Sequence, residues 1–333
     1  MPLSFIRKAK ATDAVLQAAS RMEASLAQAF LDAVDAMQDD VALTKLSAAI
    51  EAGDMNQALA IMAVDQGFVQ ALQGKGLEAG VKSFRDAVQA TFAAGAQAAI
   101  TQLPKSVSLD LAFNLMSPEA INHLETYSFS LIQQISEQTR EAIRQTILRA
   151  FKEGGHPYEQ ARSIRNVIGL TARQEQAVAN YEASLSGNSA TRDALTRALR
   201  DGRFDSTVAR SITNQTPLSQ AQVDKMVDRY RSRFIDYRAK TIARTESVRA
   251  SNLGQREVWR QAKQQGLIEE DQKRVWITSG DDKTCDDCAG LDGTEVGLDE
   301  EFEDGVMDPP DPHPDCRCTT ALSIKKRDSL RVA

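Results

Sequence analysis

The sequence predicts a mainly α-helical protein that ends in a small, β-containing, cysteine-rich subdomain. Of the first hundred residues 26 are Ala, while aromatic residues make up only 5% of the 333-residue chain. Ala loses no side-chain entropy in a helix, whereas strands favour aromatic and β-branched residues. Apolar residues also recur at three- and four-residue steps through Val15, Ala18, Met22, Leu26, Phe30, Val34 and Met37, the period of an amphipathic helix. Finally, Cys285, Cys288, Cys316 and Cys318, the only cysteines, all lie in the last fifty residues.

Taken in order, residues 1–116 read as an Ala-rich helical region punctuated at Gly53, Gly67 and Gly74–Gly80. The run Gly74-Lys75-Gly76-Leu77-Glu78-Ala79-Gly80 resembles a phosphate loop in composition only. It lacks the Gly-Lys-Ser/Thr ending and follows a helical segment, so it reads as a helix–helix connection. Residues 103–118, with Pro104 and Pro118, form a further connection. Ser117 then suits a helix cap and Pro118 a first helical position, which opens a long helix towards Gly154.

Residues 117–266 read as one helical domain with a weak internal duplication. Ala161-Arg162-Ser163-Ile164-Arg165-Asn166 recurs 48 positions later as Ala209-Arg210-Ser211-Ile212-Thr213-Asn214, and Leu170-Thr171 recurs as Leu218-Ser219. Each copy predicts a short helix, a capped turn and a second helix. The second copy leads into a long helix over 220–266.

Residues 267–333 form the cysteine-rich segment. Lys273–Thr278 is a β-type run, and a second short strand is expected over Thr319–Ile324. A CxxC turn holds two thiolates about one tetrahedral edge apart, as Zn²⁺ with Zn–S bonds of about 2.3 Å requires. Cys316-x-Cys318 is tighter than a usual second CxxC, so His313 competes as a ligand. A structural zinc site of four cysteines and one of three cysteines with His313 both remain open. Unmetallated or disulfide-bonded thiols are the simpler alternative. Asp281, Asp282, Asp286 and Asp287 read as exposed acids flanking the turn rather than a second metal site, and His123 and His156 as ordinary helical-region histidines.

The formal net charge is −6, but it is unevenly spread. The span 220–266 carries 11 Lys and Arg against five acids, whereas 267–311 carries three against 16. The tail from Arg317 is basic again. This charge break marks the strongest domain boundary in the chain. The basic helix offers Arg229, Arg231, Arg233, Arg238, Lys240, Arg249 and Arg256 as contacts for DNA phosphates or a protein partner. Neutralisation by the adjacent acidic segment is the competing reading. No apolar stretch is long enough to cross a membrane, and the first residues lack the apolar core of a secretory signal, so assembly in the cytoplasm is expected.

Several runs occur together in order: Thr241-Ile242-Ala243-Arg244-Thr245-Glu246, Ala250-Ser251-Asn252-x-Gly254, Trp276-Ile277-Thr278, Cys285-x-x-Cys288-x-x-Leu291-x-Gly293 and His313-Pro314-x-Cys316-Arg317-Cys318. Over roughly residues 140–325 the chain thereby resembles the phage head-morphogenesis, or minor head protein, family typified by phage Mu F and SPP1-type proteins. The resemblance implies a minor capsid protein, associated with the portal vertex inside the virion and with packaged double-stranded DNA; it establishes no enzymatic activity, and none is expected. Portal protein and other head proteins, either major capsid protein or scaffold, are the implied partners, with no membrane. It also marks Arg244, Glu246 and Trp276 as structural signature positions, with Arg244 and Glu246 as candidates for ion pairs in packing. A zinc-supported nuclease of the HNH kind is the alternative, although only His313 lies near the thiols. No HExxH, GxSxG or P-loop is present to support another catalytic class.

Overall fold

In the computed structural model, residues 4–62, 64–74, 82–115, 117–154, 156–280 and 284–323 are described. Most of Gly74–Gly80, together with Asp281, Asp282 and the end of the basic tail, lies outside them. The helices among these residues are α1 (Ser4–Asp40), α2 (Leu43–Glu51), α3 (Met55–Met62), α4 (Val64–Leu72), α5 (Phe84–Gln102), α6 (Lys105–Asp110), α7 (Pro118–Glu153), α8 (Pro157–Arg165), α9 (Ala172–Leu185), α10 (Asp193–Thr196), α11 (Asp205–Asn214), α12 (Gln220–Gln264) and α13 (Asp286–Leu291). The strands are β1 (Lys273–Ile277), β2 (Glu295–Gly297) and β3 (Thr319–Leu322). The chain is thus mainly helical, with a small sheet near its C-terminus, as its composition predicts.

Packing divides the chain into two compact units built from non-consecutive segments. One comprises Met1–Ala27, Arg85–Ser128 and Lys240–Ala333; the other comprises Gln28–Phe84 and Phe129–Ala239. The charge break at residue 267 therefore falls inside the first unit, because α12 residues there supply the surface on which the acidic segment packs.

In the second unit, Leu170, Val178, Tyr181, Leu185, Val208, Val223, Met226 and Tyr230 form a continuous apolar core. The helices around it start on matching caps. Thr171 Oγ1 accepts from the Gln174 backbone while Gln174 Oε1 accepts from the Thr171 backbone, at 3.3 and 3.0 Å. Forty-eight positions later Ser219 and Gln222 exchange the same bonds, at 3.4 and 3.0 Å. A reciprocal cap of this kind stabilises a helix start by about 1 kcal/mol. The helices before the caps differ in phase: α8 buries Ala161 and Ile164, whereas α11 buries Val208 and Ser211, one position earlier in the shared frame. The shared motif thus builds equivalent turns on different packing faces.

In the first unit, α5 and α12 approach so closely that a Cβ on Gly254 would lie 2.1 Å from the Phe92 carbonyl oxygen, and one on Gly95 2.3 Å from that of Ser251. Only glycine admits this contact, which explains Gly254 in the Ala-Ser-Asn-x-Gly run. The sheet of this unit runs in the order β2-β1-β3, with both pairings antiparallel. Trp276 is opposite Thr320, and Val275 is opposite both Glu295 and Ala321.

Candidate metal centre

Cys285 precedes α13 and caps it, its sulfur accepting from the Cys288 backbone N–H at 3.4 Å. One helical turn therefore turns Cys285 and Cys288 the same way, as a CxxC pair must to grip one ion. The other donors come from the proline-rich loop after residue 306. His313 Nε2 lies 3.1 Å from Cys285 Sγ and 3.3 Å from Cys288 Sγ, and Cys316 Sγ lies 3.7 Å from Cys288 Sγ. The five residues form two overlapping groups of three that share Cys288, namely Cys285–Cys288–His313 and Cys288–Cys316–Cys318.

The donor set fits a soft, tetrahedral ion. The 3.7 Å sulfur separation matches the edge of about 3.8 Å expected for two Zn–S bonds. His313 Nδ1 is 2.7 Å from the Pro314 carbonyl oxygen, which can only accept, so Nδ1 carries the proton. That tautomer leaves the Nε2 lone pair facing the two sulfurs, the orientation a ligating histidine receives from its outer partner. The thiols also share protons unequally. A hydrogen bond from Cys318 lowers the Cys316 thiol, and burial raises that of Cys288. Cys318 is raised too, chiefly because it donates to Cys316.

Cys288, Cys316 and Cys318 pack with Trp276, Leu291 and Phe302 in one small core. Trp276 stacks edge-on against Phe302 at 5.2 Å, yet its buried indole N–H has no hydrogen-bond partner. Metal-bound thiolates in the same core would add acceptor capacity where that donor lacks it. The arrangement is compatible with a bound metal on three independent grounds: ligand chemistry, separation and histidine tautomer.

Beneath this core lies a polar cluster that the sequence reading did not single out. Arg274, fully buried on β1, donates to Asp308 Oδ1 at 2.7 Å and to the carbonyls of Met307 and Glu300 at 2.8 and 2.6 Å. Its guanidinium also sits 4.8 Å from the centre of the Phe302 ring. Arg256 of α12 reaches the other Asp308 oxygen at 2.7 Å. Burial raises Asp308 to about 6 against the opposing pull of both arginines. An Arg within a β-type run gives no local sign of burial, because its partner lies 34 residues away.

The signature positions are also internal contacts. Arg244 pairs with Glu23 at 3.3 Å, while buried Glu246 accepts from Tyr127 and lies 3.6 Å from Arg249. Burial raises the Glu246 carboxyl above its usual range.

Several of the expected phosphate contacts are occupied inside the fold, which corrects that part of the sequence reading. Arg238 is buried, donating to Thr139 Oγ1, Gln138 Oε1 and the carbonyls of Gly169 and Ile135. Its burial lowers the guanidinium to about 10. Arg231 is buried beside Asp228 at 2.9 Å, and Arg256 is held by Asp308. Arg249 pairs with Asp311 at 3.0 Å. Arg229 and Arg233 share the buried Asp201 at 3.7 and 3.6 Å but keep exposed surface, and Lys240 is exposed. The Arg249 and Arg256 pairs join the basic helix to the acidic segment, so self-neutralisation accounts for those two residues. Asp286 and Asp287 are exposed, as expected.

Residues 189–321 match the family described as Phage Mu protein F like protein, a phage head-morphogenesis family. The matched span is narrower at its start than the 140–325 carrying the sequence resemblance; it holds the second copy of the 48-residue motif and the whole Cys/His cluster. No curated protein and no solved structure matches the chain. No helix among the described residues is long and apolar enough to cross a membrane.

Proposed function

We propose that the chain is a minor head protein of a tailed phage, built into the capsid at the portal vertex while the head assembles in the host cytoplasm. The match of residues 189–321 to the phage Mu F-like family carries this reading. Its role is structural rather than enzymatic, and its partners are the portal protein and the major capsid or scaffold protein. Contact with packaged double-stranded DNA falls to Arg229, Arg233 and Lys240, which keep exposed surface, whereas Arg231, Arg238, Arg249 and Arg256 are more fully engaged within the fold.

Zinc is the metal that suits the Cys/His cluster, with Cys285, Cys288 and Cys316 as three ligands and His313 as the fourth. The Nε2 of His313 faces two of those sulfurs. The ion would supply cross-linking free energy to a segment with a small apolar core. A ligating His313 is unavailable as a catalytic base, which weighs against the HNH-like nuclease.

Purified procapsids test the assignment. Quantitative mass spectrometry should find the chain in few copies per head, and cross-linking should join it to the portal protein. Its absence from heads would refute the proposal. Metal-dependent DNA cleavage by the wild-type protein, lost in His313→Ala, would establish the nuclease instead.

A further inference from the structure

We propose that one stripe of α12, formed by Thr245, Arg249 and Asn252, positions the metal-binding loop and so sets its affinity for the ion. The inference rests on the metal reading above. The three residues are spaced by four and then three, which puts them on one face of the helix.

Each pins the loop one or two residues from a cysteine or histidine of the cluster. Thr245 Oγ1 accepts from the Asp315 backbone N–H at 3.1 Å, immediately before Cys316. Asp315 has φ +63°, a left-handed conformation that a side chain disfavours, so the bond fixes a backbone geometry that a free loop would avoid. Arg249 Nη1 donates to Asp311 Oδ1 at 3.0 Å, two residues before His313. The second Asp311 oxygen accepts from the backbone N–H groups of Met307 and Asp308 at 3.1 and 3.0 Å, so this carboxylate ties the start of the loop to the helix. Asn252 Oδ1 accepts from Thr319 Oγ1 at 2.8 Å and from the Thr320 N–H at 3.3 Å, directly after Cys318.

The helix side is itself fixed. Thr245 Oγ1 donates to the Thr241 carbonyl at 2.8 Å, and Asn252 Nδ2 donates to that of Val248 at 2.8 Å. Neither side chain can turn away without breaking a second bond. Cys285 and Cys288 need no such template, because α13 presents them. The loop donors do: His313 and Cys316, on an irregular segment, must otherwise be ordered by the ion alone, and that ordering entropy subtracts from affinity. Thr245, Arg249 and Asn252 are positioning residues in this sense, since they touch the loop and not the ion.

Zinc competition against a chromophoric chelator, with the full-length chain, tests the proposal. Thr245→Val keeps shape but removes the hydroxyl, and Arg249→Met keeps the stem but removes the donor. Each should weaken zinc binding by about tenfold, the lower end of what loss of an outer partner does at metal sites. At saturating zinc their circular dichroism, and the thiolate–cobalt absorption of the Co²⁺ forms, should equal wild type. Thr245→Ser restores the acceptor and should restore affinity. Arg244→Met, one position away and paired with Glu23, should bind as wild type does.

Wild-type affinity in both Thr245→Val and Arg249→Met would overturn the proposal. So would an equal loss in Arg244→Met, which would signify general destabilisation. A wild-type chain that takes up no zinc refutes the underlying metal reading, a result distinct from normal uptake with unaltered variants. If Thr245→Val fails to fold at saturating zinc, Arg249→Met and Thr245→Ser still decide the matter.

Discussion

The helical hairpin of α9 and the first part of α12 and the cysteine-rich segment that follows α12 reach order by opposite means. The hairpin core is mainly apolar, with Tyr181 and Tyr230 rings 4.3 Å apart among Val178, Leu185, Val223 and Met226. Among the described residues the buried core of the cysteine segment holds six side chains, of which three are thiols, and polar tethers from α12 hold its loop. The hairpin therefore draws its stability from area removed from water, at about 25 cal/mol per Å² of apolar surface. The cysteine segment draws it from a few directional bonds among groups that gain most when a cation joins them.

The largest effect should come from breaking the shared corner of the cluster. Cys288→Ser removes the residue common to both groups of three, and so most of an apparent metal-linked stabilisation on the order of 10 kcal/mol. Limited proteolysis should then cut between residues 267 and 323 while helical circular dichroism persists, and a zinc chelator should do the same to wild type. Resistance to protease in the chelated wild-type protein would show that the segment, like the hairpin, stands on its apolar core.

The converse substitution is Tyr181→Ala. Tyr181 is 2% exposed, and truncating a buried aromatic of this size costs about 3–5 kcal/mol. Urea denaturation should register that loss equally with zinc present and with zinc removed. A cost that depends on zinc would mean that the hairpin core and the metal centre unfold as one, and the contrast would collapse.

The same difference governs how much can be read from sequence. The helices were legible because burial follows a local period: Val15, Leu26, Phe30 and Val34 are all buried, at the spacing that predicts an amphipathic helix. The CxxC pair was legible because its geometry is local too. His313 was visible as a candidate, but its Nδ1 contact to Pro314 O, which fixes the tautomer, appears only with the backbone in place. Arg274, Asp308 and Asp311 carried no signal beyond composition, since their ion-pair partners lie 34 to 62 positions away. The basic helix misled for a related reason. Counting charge treats Arg231, Arg238 and Arg256 as surface, while Arg231 is buried beside Asp228 of its own helix, Arg238 is buried against the carbonyls of Gly169 and Ile135, and half-buried Arg256 is held by the distant Asp308.

The smallest effect tests whether the hairpin is as purely apolar as its core suggests. Glu175, buried on α9, lies 3.4 Å from Arg149, and its second oxygen has no partner. Burial raises its carboxyl above the usual range, against the opposing charges of Arg231 and Arg149, with Glu182 adding to the rise. The folded state therefore keeps a proton that the unfolded chain has already lost. The stability tied to that proton is fully present below the ordinary glutamate value of about 4.3, and it is lost as pH rises through the higher folded value. Glu175→Gln removes the titration. The Arg149 ion pair forms only with the ionised carboxylate and so belongs to the same titration, which makes the slope the diagnostic quantity. Urea midpoints measured at matched pH should fall across this window in wild type relative to Glu175→Gln. Parallel curves would mean that Arg149 and Arg231 balance the burial of the carboxylate, and that one directional contact matters to the hairpin as it does to the cysteine segment.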